Sequence, residues 1–246
     1  MHPLLGLTDH RDAPPPARPW AMTQRWCDLL FAHWPVPVDV LRALVPAPLE
    51  IDRFDGEAWV GLAPFRMENV RLRGTPPMPG LSSTPEVNLR TYVRHRGRGG
   101  VYFFSLDAAP PPVVWGARLW FGLPYYRARM RCEADGDGVR YSSERLGRRS
   151  PAVLRARYRP TGPAARALPG TLDHFLVERY RLFVVRRGRV RVAEIHHPPW
   201  PLQPAEAELQ EQTVSTAAGL ELRGPPRTLH FARALDTLEW APRVDD

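Results

Sequence analysis

The sequence predicts a mainly β domain, and three observations carry that prediction. Short apolar runs rich in Val, Phe, Tyr and Trp recur along the chain. Turn signals such as Asp55-Gly56 and several Gly-rich links separate them. Helix-like periods are few and short. Many short strands broken by turns read as a barrel or a sandwich. The 246 residues fit one large domain or two small ones, and no repeat or composition break divides them.

The elements follow in order. Residues 1 to about 19 are Pro-rich and are expected to form a flexible leader outside a single domain spanning 20–246. "TQRWCDLLFAHWPV" is apolar and aromatic up to Pro35, and "VDVLRALVP" reads as a short helix ended by Pro46. "LEIDRFDGEAWVGLAPFRM" reads as a hairpin about Asp55-Gly56. A Pro/Gly/Ser loop covers 73–85, a kind of loop that is often functional. Strands are expected at about 86–95 and 101–107, joined by a Gly-rich turn. "YYRARMRCE" and "VRYSSERL" flank "ADGDG" as another hairpin, and "AVLRARYRP" is a further strand. "TLDHFLVERY" reads as a short helix capped by Thr171 or Asp173. A hairpin turning at Gly188 follows, then a short helix near 205–212 and a strand at 228–233.

Composition excludes several function classes. The net charge is +8, from 34 basic and 26 acidic residues, and none of the basic residues is lysine. Schiff-base catalysis needs an amine that can lose its proton, and guanidinium stays charged. A lysine imine is therefore excluded. Arginine is spread along the chain beside 29 prolines, which fits GC-rich coding better than a nucleic-acid surface. Two cysteines, Cys27 and Cys132, make neither a disulfide scaffold nor a CxxC motif. No apolar run reaches the roughly 20 residues of a membrane span, and no signal core opens the chain. A cytoplasmic protein is the default expectation.

Strand alternation in "EVNLRTYV" sets Glu86, Asn88, Arg90 and Tyr92 on one face, with Val87, Leu89, Thr91 and Val93 on the other. By pattern alone this is an ordinary strand with a wet face and a core face. The functional reading is a polar cavity wall. Glu86 and Arg90 lie roughly 13 Å apart along the strand, so each, if buried, needs a partner from elsewhere. In "VYFFSLDAA" both faces are apolar over 101–104, which marks a central strand. Ser105 and Asp107 fall together at its end. No GxSxG elbow accompanies Ser105, which reads as a hydrogen-bonding strand residue. His196 and His197 are neighbours pointing to opposite faces, a poor metal pair. One is expected packed and the other exposed. His33 reads as structural, with a proton contribution to a cavity as its functional alternative, and Glu178, Arg179 and Tyr180 as ion-pair or helix-end contacts. In "WFGLPYYRARM", alternation groups Tyr126 with the inward Ala128, Met130 and Cys132. It groups Tyr125 with the outward Arg127, Arg129 and Arg131, unless the bend at Pro124 shifts the register.

The blocks "LLFAHWPV", "FDGEAWVGLAPFRM", "EVNLRTYV", "GVYFFSLDAA", "LPYYRARM", "ERYRLF" and "HHPPWPL" run in order from about Trp20 to Leu202. Together they resemble the YqjF-like family of uncharacterised bacterial proteins, in the acetoacetate-decarboxylase-like superfamily. The resemblance implies a closed, mostly antiparallel, barrel-like sheet around a small-molecule cavity, with a few short covering helices. "GARLWFGLPYYRARM" is similar to the decarboxylase pattern Gly-Arg-Glu, spacer, Gly-Phe-Pro-Lys-Lys, with Gly116, Ala117 and Arg118 before Gly122, Leu123 and Pro124. Tyr125 and Tyr126 then stand where the decarboxylases carry lysines, so imine chemistry does not carry over. Glu86 matches a cavity glutamate by position.

The resulting expectation is a lyase-like enzyme acting on a small carbonyl or carboxylate compound without a Schiff-base lysine. Tyr125 or Tyr126 would polarise a carbonyl and Glu86 would move a proton. Arg90 would hold a carboxylate, with Asn88, Tyr92 and Arg118 completing the ligand wall. No cofactor and no metal are expected. A non-catalytic small-ligand-binding protein is the alternative, and a nucleic-acid binder ranks last. No membrane partner is expected, and a homo-oligomer stays open.

Overall fold

The computed structural model describes residues 2–76, 83–109, 122–147 and 150–245, with Ser83 described for its backbone alone. Its strands are β1 (Met22–Val36), β2 (Glu50–Ile51), β3 (Ala58–Leu72), β4 (Ser83–His95), β5 (Arg98–Ala108), β6 (Tyr125–Asp135) and β7 (Gly138–Arg145). They continue with β8 (Val153–Pro160), β9 (Arg181–Arg186), β10 (Arg189–His196), β11 (Gln203–Gln212), β12 (Thr228–Glu239) and β13 (Arg243–Val244). The helices among the described residues are α1 (Val38–Leu44), α2 (Leu172–Val177), α3 (Val214–Ala217) and a 3-10 turn at Pro3–Gly6.

Nine strands close a barrel in the order β5-β6-β7-β8-β11-β12-β1-β3-β4 and back to β5. All neighbours are antiparallel except β5 and β6. A second closure branches from the same wall. The start of β5 pairs with β9 at Val101↔Leu182, whereas its end pairs with β6 from Leu106↔Tyr125. Likewise β12 pairs with β11 near Phe231 and with β10 near Glu239. The shared wall β12-β1-β3-β4-β5 therefore has an interior on each side.

The first interior is mainly apolar. Leu30, Ala32, Val60, Leu62, Val87 and Leu89 meet Tyr141, Leu154, Ala156 and Tyr158 there. On the opposite face of the same strands, Phe31, Ala63, Phe65 and Tyr92 meet α2 and Trp200, and Leu106, Val184 and Ala193 close one end. Both faces of β4 are thus buried, so the wet face read from its alternation is a second interior.

The tight hairpin turns follow from their residues. Arg96-Gly97 and Arg187-Gly188 take positive φ at both positions (52° and 74°; 52° and 75°), as two-residue turns matching strand twist require. Thr171 caps α2 by accepting from the His174 amide.

Four expectations are corrected. Asp55-Gly56 does turn the chain, but β2 pairs with β4, and only the bridge Phe54↔Glu57 joins the two arms of the turn. Residues 205–212 lie in a strand. Their Ala, Glu and Leu favour helix, but small residues alternate with Glu206 and Glu208, and pairing with β8 buries the former against the first core. His196 and His197 are both buried, 0% and 1% exposed, because both faces of β10 are covered at its end. The Pro-rich leader lies against the domain: the Arg11 side chain is fully buried, donates to the Ile195 carbonyl at 2.9 Å and sits over the Tyr180 ring.

Candidate functional site

The polar cluster stands at the β6 end of the second interior. Pairings Phe65↔Glu86, Ala63↔Asn88, Asn88↔Leu106 and Leu106↔Tyr125 put these side chains on one continuous surface. Tyr125 Oη donates to Glu86 Oε2 at 2.9 Å. The Asn88 amide donates to Glu86 as well. Farther along the same shared wall, Gln24 on β1 donates its amide to Glu239 on β12. Glu86 and Glu239 are 3% and 9% exposed, and no ion pair to either is found among the described residues.

Burial disfavours the charged forms. It pushes the Glu86 carboxyl up to about 7, against the hydrogen bonds from Tyr125 and Asn88. Glu239 is pushed up to about 8, by burial first and by the Glu86 charge second. Tyr125 is held well above the usual phenol range by burial and by Glu86, so its hydroxyl stays a neutral donor.

The two tyrosines separate. Tyr125 faces the interior, packed with Leu106, Leu123, Val184 and Ala193. Tyr126 is 36% exposed, and the Arg145 guanidinium lies 3.8 Å from its ring centre. That arginine pairs bidentately with buried Asp107, with Nη2–Oδ1 at 2.7 Å. No register shift is needed. β9 and β10 cover the face carrying Tyr125 at the start of β6, and the same face turns outward by Arg127, Arg129 and Arg131. Tyr126 is therefore not the inward member of the pair, and alternation alone could not know that a second layer covers the strand's first turn.

A second polar group lies farther along β4. Tyr92 Oη donates to the Leu176 carbonyl at 2.9 Å and accepts from His33 Nε2 at 2.7 Å. Thr228 Oγ1 lies 3.3 Å from His33 Nδ1 and can donate to it. His33 is kept neutral, well below the usual imidazole range, by burial and by Arg90. Gly61 allows this approach, since a Cβ there would meet His33 Cδ2 at 2.9 Å. The Tyr92 hydroxyl is thus spent on hydrogen bonds within the protein. Arg90 lies over the Phe31 ring at 5.1 Å, and its Nε is buried without a partner among the described residues. From Phe31 an aromatic wall continues through Trp200 to Trp26 and Phe65. The Trp26 and Trp200 indole N–H groups are likewise unpartnered.

The structure brings Glu86, Asn88 and Tyr125 together, and sets Arg90 on the same face four residues away. Arg118 lies outside the described residues. Sequence reading missed Gln24 and Glu239. The faint signal for Gln24 is a polar residue between Met22 and Trp26 on an inward face; Glu239 comes from the far end of the chain. No cluster of three or more His, Cys, Asp or Glu side chains able to hold a metal is found among the described residues. No helix there is long and apolar enough to cross a membrane. The arginines of β8 are matched by glutamates of β11, Arg155 with Glu211 and Arg159 with Glu206 at 2.6 Å.

Comparison with known proteins accords with this architecture. The uncharacterized protein YqjF of Bacillus subtilis (strain 168) is 46% identical over 224 residues, covering 91% of this chain and 92% of that protein. Acetoacetate decarboxylase from Legionella pneumophila shares the fold at TM-score 0.61 and 18% identity, over 96% of this chain and 92% of that one. An acetoacetate decarboxylase-like enzyme from Sphingomonas wittichii RW1 does so at 0.61 and 13%, over 98% of both chains. The enduracididine biosynthesis enzyme MppR, complexed with pyruvate, gives 0.59 and 11%, over 95% and 93%. The model of the DUF2071 family, described as an uncharacterized conserved protein, matches residues 23–236, and the chain belongs to that family.

Proposed function

We propose that the second interior binds a small carbonyl or carboxylate compound and catalyses proton transfer next to its carbonyl without an imine. The observation that carries this reading is the Tyr125–Glu86 hydrogen bond at 2.9 Å inside a buried wall. A carboxyl brought to about 7 can serve as a base at neutral pH and still hold a proton when it must return one. Glu86 takes the proton α to the carbonyl. The electron pair moves to oxygen, and the resulting enolate accepts a hydrogen bond from the neutral Tyr125 hydroxyl. The unpartnered donors Arg90 Nε, Trp26 Nε1 and Trp200 Nε1 suit a carboxylate on the aromatic side of the same interior. MppR, of like fold, is described complexed with pyruvate, a compound of this class.

The test is exchange of the methyl protons of pyruvate for deuterium in heavy water, followed by NMR. The protein is expected to speed exchange. Glu86→Gln should remove at least 100-fold of that acceleration and Tyr125→Phe about 10-fold. Borohydride should trap no adduct. Binding without exchange would leave a non-catalytic ligand-binding protein in place of the enzyme.

A further inference from the structure

Beside Glu86 and Glu239 two buried amide oxygens are left without a donor among the described residues. The Asn88 amide donates one N–H to Glu86, and the Gln24 amide donates one to Glu239. The oxygens of those amides, Asn88 Oδ1 and Gln24 Oε1, are buried and have no partner among the described residues. The two side chains belong to residues only 5% and 7% exposed, so bulk water does not satisfy them. Neither carboxyl has an arginine or histidine beside it among the described residues. The nearest arginine on the same strand, Arg90, is turned over Phe31. Three strands thus supply two carboxyls and two idle amide oxygens to one wall, and among the described residues Tyr125, on β6, is the hydroxyl that donates to one of the carboxyls.

We propose that this wall is a subsite for a cationic nitrogen, so that the ligand of the second interior carries a protonated primary amine besides its carbonyl or carboxylate. This rests on the reading of that interior as a small-molecule site. An ammonium group brings three donors and no acceptor, which supplies what the idle oxygens lack. Glu239 and the two amide oxygens can take those donors, and Glu86 stays free for its bond with Tyr125. The aromatic border favours the same ligand: Trp26 stands edge-on to Phe65 at 5.5 Å and stacks on Trp200 at 5.8 Å, and such rings attract cations on their faces. An alcohol brings one donor and leaves an acceptor idle. A carboxylate adds only acceptors. Burial keeps Glu239 largely protonated at neutral pH, so an arriving cation should displace its proton to solvent.

The test is calorimetric titration of the full chain at pH 7 with propylammonium, 1-propanol and propionate, in two buffers of different ionisation heat. Propylammonium should bind at least ten-fold more tightly than 1-propanol and release close to one proton. Glu239→Gln should erase that preference and the proton release, while propionate binding stays unchanged. Gln24→Leu, which keeps both carboxyls, should weaken propylammonium several-fold and serves if the first variant does not fold. Equal affinity for the ammonium and the alcohol overturns the subsite, as does a preference that survives both substitutions. If propionate alone binds, the cation subsite falls and the small-molecule reading stands. If none of the three binds, both fall.

Discussion

The two interiors share a wall and differ in how they treat polar groups. In the first, Tyr141 donates to the Glu86 carbonyl at 2.7 Å and Tyr158 to the Asp28 carbonyl at 2.9 Å, and both rings sit among aliphatic side chains. In the second, among the described residues, two carboxyls lie without a cation, two amide oxygens lie idle, and an arginine and two indoles keep unspent N–H groups. The contrast is sharpest on β4, where neighbours one residue apart serve opposite purposes. A fold maximising stability would satisfy or remove such groups. The first interior leaves only the Ser105 and Ser143 hydroxyls without a partner among the described residues, whereas the second leaves amide, guanidinium and indole groups beside its carboxyls, so the kind of unpaired group separates the packing half of the molecule from the half available for chemistry.

Substitutions on β4 measure that difference most directly. Leu89→Ala empties space in the first core and should cost about 3 kcal/mol in chemical denaturation. A cost below about 1 kcal/mol would mean that this interior is not the stabilising one.

The next effect is in pH. Glu86 and Glu239 have folded-state values raised above those of the unfolded chain, so the unfolded state loses protons first as pH rises. Stability is therefore fully retained below about 4.5 and falls progressively as pH rises to about 8. Melting curves between pH 5 and 8 should show the decline, and Glu239→Gln should flatten part of it. A stability that rises over that range would refute the assignment.

The smallest effect is expected beside the first substitution. Asn88→Ala loses one amide bond to Glu86 and removes one unpaired oxygen, so denaturation should shift by less than about 1 kcal/mol in either direction. A loss as large as that of Leu89→Ala would erase the distinction between the two sides.

Most of the strands were legible because turn chemistry is local. Arg96-Gly97, Gly136 and Arg187-Gly188 mark hairpins that any alternating sequence would respect. β11 was not, because Ala, Glu, Leu and Gln favour helix and only the partner strand β8 decides otherwise. Glu86, Asn88 and Arg90 were readable as one face from their spacing. Which side of the molecule that face meets was not, since a second layer of β9 and β10 is a tertiary fact. For the same reason Tyr125 and Tyr126 could not be assigned, and Gln24 and Glu239, 215 positions apart, could not be paired.

The buried wall also bears on how the chain reaches this state. A strand dry on both sides has no solvent face to absorb an error in pairing. A one-residue slip of β4 would send Glu86 and Asn88 among the leucines and valines of the first core, and Val87 and Leu89 against the carboxyls, two faults at once. The bulge between Leu89 and Arg90, where Phe104 is the extra residue of β5, is a position at which such a slip must be settled. Before that settlement the central strands have water-averse surfaces on either side and unpaired edges. Refolding from denaturant should therefore be slow, and its yield should fall as protein concentration rises.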